Sequence, residues 1–221
     1  MSILVAIDGT GDNEDQRATW EPRDIRASFV RRVYAHCPFP DKRYFVGPDI
    51  LGGLCVDIFK DALSFVDGIV RAHRGKDQVL NLVGYSRGAY LCMCLARYFA
   101  DRTKGVCVNY LGLFDAVGRT DFGMGINSDF IPATVRVCYH AHRDARAGSR
   151  LFFGHTGVFA EKGVQFEKRK FRATHSGMGG MPWRGDHPTN MTEADDREGS
   201  VQAGTWMASM ARKHGIIGAW A

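Results

Sequence analysis

The sequence predicts an α/β fold of three layers, a mostly parallel central sheet with helices on both faces. Three observations carry that reading. Short, continuous apolar runs at residues 2–7, 78–83 and 106–114 suit strands buried on both faces. Amphipathic helical segments separate these runs, as parallel crossovers require. Polar, glycine-rich clusters follow Ile7, Val83, Phe114 and Ala173, where ligands bind in such sheets.

The elements follow in order. Residues 2–7 are the first strand, and 8–13 (Asp-Gly-Thr-Gly-Asp-Asn) are a turn-rich loop. Ile25, Phe29 and Val33 recur at helical spacing across 22–36, with Pro22 near a first turn. Residues 43–46 are a short strand and 47–53 a loop. Leu54, Ile58, Ala62, Phe65 and Ile69 mark an amphipathic helix over 54–73. A strand at 78–83 runs into Gly84, a helix follows over 89–100, and the run 106–114 stops at Asp115. Residues 134–139 form a further strand, with the charged stretch His140-Ala141-His142-Arg143-Asp144 after it. Residues 164–173 alternate as a strand and stop at a loop, 174–180. Residues 182–197 are polar and expected irregular; 201–214 form the last helix, with Gly215 as its stop.

The 221 residues, 45% of them hydrophobic, support one sizeable core, so residues 1–221 are read as one catalytic domain. The formal net charge of +5 is expected on a solvated surface. Lys168-Arg169-Lys170 and Arg172 read as the wet face of a strand, and no nucleic-acid partner is expected. Six cysteines without a C-x-x-C pair exclude a zinc ribbon or thioredoxin-like site and fit a reducing compartment. No apolar stretch reaches membrane-spanning length, and the first residues read as a core strand instead of a signal peptide. A cytoplasmic protein is expected, exported, if at all, by a leaderless route.

Gly84-Tyr85-Ser86-Arg87-Gly88 lies between a predicted strand and a predicted helix, the context of a nucleophile elbow. A serine in so tight a turn needs glycines two residues either side. Ser86 is thus the candidate nucleophile and the fold is α/β-hydrolase-like. A serine hydroxyl needs a base, and the base needs an orienting group. Asp115, at the end of the next strand, is the candidate acid. Of eight histidines, His175 follows the last strand and completes the chain order Ser, Asp, His; His155 and His187 are its rivals. The loop Gly9-Thr10-Gly11 and the amide of Arg87 are candidate oxyanion or substrate contacts, with Asp8 in support. An aspartyl-phosphatase reading of Asp8-Gly9-Thr10 fails because Ala6 stands where the attacking carboxylate belongs. No metal or cofactor is required.

Four segments carry a family resemblance: 6–13 (AIDGTGDN), 84–90 (GYSRGAY), 112–117 (GLFDAV) and 174–180 (THSGMGG). In this order they resemble the DUF2235 family, the catalytic domain of Tle1-like phospholipase effectors of type VI secretion. Residues 140–146 with Leu151-Phe152 resemble a further segment of it. The resemblance implies a Ser86-Asp115-His175 triad, hydrolysis of carboxylic or phospholipid esters, peripheral membrane contact and export by type VI secretion. Gly177 departs from the pattern, which has an acidic residue two after the histidine. The competing expectation is a non-catalytic binding or scaffold protein that keeps the fold. The apolar stretch 216–221 is expected to dock on the core, and the oligomeric state is left open.

Overall fold

A computed structural model describes residues 1–10, 28–48, 54–74, 77–101, 106–118, 130–149, 154–183 and 190–219. Gly11, the start of the expected first helix at 22–27, and His187 lie outside them. The elements are β1 (Ser2–Ile7), α1 (Phe29–His36), β2 (Asp41–Phe45), α2 (Cys55–Ala72), β3 (Gln78–Tyr85), α3 (Arg87–Asp101), β4 (Val106–Phe114), β5 (Phe130–Ile131), β6 (Val135–Arg143), β7 (Phe159–Ala160), β8 (Gln165–Phe171), α4 (His175–Met178) and α5 (Glu193–Lys213).

Six strands form one parallel sheet in the order β2-β1-β3-β4-β6-β8; β5 and β7 pair separately. The alternation of side chains along each strand divides the core in two. From β1, Ile3, Val5 and Ile7 enter one cluster with Ala62 and Val66 of α2 and Leu91 and Leu95 of α3. Leu4 and Ala6 enter the other, with Phe29 and Val33 of α1 and Trp206, Met207 and Ala208 of α5. This is the three-layer architecture, and it explains why β1 reads as an unbroken apolar run. Cys92 and Cys94 of α3 are both fully buried in the first cluster, because α3 is covered nearly all round. Of the stretch 216–221, Ile216 and Ile217 dock in the second cluster, Gly218 and Ala219 are exposed, and the last two residues lie outside the described part. Gly215 at φ +68° lets the Ile216 amide close α5 on Ala211 O at 2.9 Å.

Three expectations need correction. The strand expected over 134–139 continues to Arg143, so His140, His142 and Arg143 are buried strand residues and not a charged loop. The helix expected from 201 begins at Glu193. Thr192 and Asp195 close a reciprocal capping box there, which satisfies amides at the helix start. In addition, His175 opens a four-residue helix, α4, capped by Thr174, where a loop was expected.

From β1 the chain passes outward to β2 and then returns to β3 on the other side of β1. The sheet order therefore reverses at β1/β3, where a crevice forms outside the carboxyl ends. Register aligns the strand ends. Tyr85 pairs with Phe114, and Phe114 with Ala141. One step further, Ser86, Asp115 and His142 form a row. A bulge in β4 sets this alignment: Leu80 pairs with Val108 but Asn81 with Tyr110, leaving Asn109 extra. Asn109 donates to Asn81 Oδ1 at 3.2 Å, and Asn81 donates to Ile3 O at 3.1 Å. Without the extra residue the row would slip by one and Asp115 would point to the other face.

Candidate active site

Ser86 and Asp115 adopt left-handed backbone conformations, φ 54° and 44°, the only non-glycine residues among those described to do so. Such geometry costs about 1–3 kcal/mol each and persists only where the surroundings enforce it. Here they do. Ser86 N donates to Phe114 O at 3.0 Å, Val117 N to Ser86 O at 3.2 Å, and Asp115 N to Ala141 O at 2.7 Å. The flanking glycines are required by contact. A Cβ on Gly84 would lie 2.6 Å from the Ala89 backbone; one on Gly88 would lie 2.2 Å from Asp8 O. The turn thus packs directly on the end of β1.

His175 Nε2 lies 2.8 Å from Ser86 Oγ, and its Nδ1 lies 2.6 Å from Asp115 Oδ2. Three distant parts of the chain meet. Ser86 and His175 are 4% and 6% exposed, and Asp115 is fully buried. A hydroxyl bonded to an imidazole that a carboxylate holds is the arrangement that makes serine a nucleophile. Burial alone would raise the Asp115 carboxyl. The hydrogen bond from His175 and the charges of His175 and Arg143 outweigh it and hold the group below the usual carboxylate range.

His175 is held from several sides. Its amide donates to Ser149 Oγ at 3.0 Å, and Tyr85 Oη donates to its carbonyl at 2.8 Å. The Tyr85 ring lies 5.0 Å from the imidazole, centroid to centroid. Asp196 of α5, fully buried, accepts from Thr174 N at 2.6 Å, Thr174 Oγ1 at 2.8 Å and Trp183 N at 2.8 Å. A Cβ on Gly177 would come within 2.3 Å of Asp196 Oδ1. A carboxylate from another helix thus fills the space beside Gly177.

The first loop packs on the turn: a Cβ on Gly9 would lie 2.4 Å from the Tyr85 ring and 3.1 Å from Ser86 Cβ. Asp8 accepts from Ser28 Oγ at 2.5 Å, Tyr44 Oη at 2.8 Å and Gly9 N at 2.9 Å. It anchors the loop, and the Gly9 amide is engaged there. Thr10 ends the described part of this loop, Arg87 opens α3, and both are half-buried.

Sequence reasoning missed Arg143. Its side chain is 1% exposed. The guanidinium donates to Asp115 Oδ2 and to Gly154 O at 3.2 Å, and approaches His175 Nδ1 at 3.2 Å; its amide donates to Asp115 Oδ1 at 3.2 Å. The other histidines take other places. His140 accepts from Ala116 N at 3.1 Å and donates to Gly157 O at 3.0 Å. His155 lies at Asp115 Oδ1, 3.6 Å away. Burial first, then the neighbouring imidazole of His142, lowers His140 to about 3 and His155 to about 4, and burial lowers His142. His36 ends α1, and His73 and His214 follow the last turns of α2 and α5.

No protein-family model and no curated protein matches the chain. Among solved structures, an uncharacterized protein from Pseudomonas aeruginosa matches at a TM-score of 0.54 with 14% identity, over 97% of this chain and 46% of its own. The Tle1 effector bound to the VgrG spike of the Type 6 secretion system matches at a TM-score of 0.44 with 16% identity, over 85% of this chain and 52% of its own. The chain thus spans about half the length of each. The first match shows a shared fold. No described helix is long and apolar enough to cross a membrane.

Proposed function

We propose that the chain is a serine hydrolase that cleaves carboxylic esters through an acyl-enzyme. The observation that carries this reading is the continuous relay Ser86 Oγ–His175 Nε2, His175 Nδ1–Asp115 Oδ2, at 2.8 and 2.6 Å. His175 Nε2 takes the Ser86 proton as Oγ attacks the carbonyl carbon. Asp115 fixes the tautomer and stabilises the imidazolium. The oxyanion is held by the Arg87 amide in the first turn of α3 and by the Thr10 amide, since Gly9 N is committed to Asp8. His175 returns the proton to the leaving alcohol, and water then releases the acyl group by the same steps reversed.

The resemblance to the DUF2235 segments extends this reading to phospholipid esters and to a Tle1-like effector acting at a membrane surface, within a domain that residues 1–221 make up. The test is a panel of short esters, long esters and phospholipids with wild type and Ser86→Ala, alongside labelling by a small fluorophosphonate. We expect Ser86-dependent labelling and turnover, with the substrate ranking separating lipid from small ester. Labelling that survives in Ser86→Ala, or its absence from folded wild type, refutes the reading and leaves the non-catalytic binding protein.

A further inference from the structure

We propose that His142, His155 and Asp115 form a binding site for a divalent cation of the zinc class, at the Asp115 oxygen that His175 does not use. One donor atom from each lies within 4.8 Å of the other two. Two donors on a tetrahedral zinc are about 3.3 Å apart at Zn–N distances near 2.0 Å, so closure needs movements of about 1 Å. His155 can supply them. It is partly exposed, and Gly154 and Gly157 on either side have φ +65° and +64°. Its ring already lies 3.9 Å from that of His142, centroid to centroid.

The proton arrangement favours a ligand. His142 Nδ1 is 3.1 Å from the Arg143 carbonyl and donates to it. That fixes the tautomer, as the outer partner of a metal-bound histidine does, and leaves the lone pair on Nε2. His142 is 6% exposed, and its Nε2 has no hydrogen-bond partner among the described residues. A buried acceptor left unmade is costly and calls for an occupant. Neutral imidazoles need lose no proton to bind a metal, and burial disfavours the charged form of both rings. Asp115 is ionised, with Oδ2 shared by His175 and Arg143 and Oδ1 facing His155. The Arg143 guanidinium repels any cation there. It selects for a metal that imidazole binds strongly over a hard, oxygen-preferring one.

A cation on Oδ1 would draw charge from the carboxylate that steadies His175. Bound metal would therefore damp Ser86. This second half rests on the hydrolase reading; the site itself does not.

The test uses the full chain and the metals alone. Co2+ is titrated while its visible ligand-field absorption is followed, then displaced by Zn2+. Wild type should give a tetrahedral-type spectrum with 1:1 saturation. His155→Ala, and separately His142→Asn, should each lose about tenfold or more in affinity. Circular dichroism checks that each variant folds; His155 is at the site's open side, so its variant serves if the buried one does not fold. Zn2+ should also slow Ser86-dependent ester turnover in wild type, and the ratio of rates with and without Zn2+ should return to unity in His155→Ala. No cobalt spectrum at submillimolar metal, or one unchanged in folded His155→Ala, overturns the site. Binding without slowing overturns the damping. In a chain without esterase turnover the damping falls with the hydrolase reading, while the spectrum still decides the site.

Discussion

Replacing Arg143 by methionine removes the cation from a buried ion pair and keeps most of the side chain's length. Arg143 and Asp115 are 1% and 0% exposed, so the carboxylate cannot turn to water for compensation. Breaking one side of such a pair costs about 3–5 kcal/mol. His175 Nδ1–H still donates to Asp115 at 2.6 Å, which points to the low end, about 3 kcal/mol. For a chain of this size that is a fall in Tm of about 6–12 °C. Neutralising the orphaned charge should give part of it back: the double variant Asp115→Asn/Arg143→Met should recover about 1 kcal/mol or more relative to additivity. The pH dependence has a sign. Asp115 is depressed in the folded state, so its contribution is present at neutral pH and is lost as pH falls below the usual carboxylate range. Without Arg143 the folded carboxyl is less depressed, so that loss should be smaller and should end at higher pH. Urea titrations followed by tryptophan fluorescence, at neutral and acid pH, measure all three effects. A cost under about 1 kcal/mol, or strict additivity in the double variant, would refute the claim that this pair is buried and coupled.

Gly88→Ala should lower the unfolding free energy by about 3 kcal/mol or more in urea titrations, because the new Cβ meets backbone oxygens of Ile7 and Asp8 that cannot rotate away. Gly68→Ala, where nothing lies within 4 Å inside α2, should stabilise by about 0.5–1 kcal/mol in the same assay. His140, lowered to about 3 by burial and by His142, binds its proton far more readily when unfolded. Between about pH 6.5 and 3 the unfolded state holds the extra proton, so stability should rise with pH at about 1.4 kcal/mol per unit for this group. NMR titration of the His140 ring should show it neutral at pH 5, and a charged ring there would contradict its two-sided hydrogen bonding.

The parts of the site that were legible in the sequence are local or ordered. Gly84 and Gly88 announce a tight turn whatever surrounds them, and chain order ranked His175 above its rivals. What escaped is fixed by pairing between strands. His140 to Asp144 read as a charged stretch after the strand because four of the five residues there are polar. Only register against β4 shows that the first four complete a strand and that Arg143 lands on Asp115. The bulge at Asn109 escaped for the same reason, although two asparagines inside apolar strands are a signal that something polar is bridged. The start of α5 escaped too, although Thr192 and Asp195 have the spacing of a capping box. A run of polar residues before them concealed it.

The carboxylate beside Gly177 has a temporal consequence. A polypeptide emerging from the ribosome presents the serine turn and the β4 aspartate well before residue 196 exists. Until α5 arrives, the amide and hydroxyl of Thr174, the cap residue of α4, lack the carboxylate that accepts from them. Because Asp196 sits on a later helix, the seat of α4 is fully bonded only once α5 has been made.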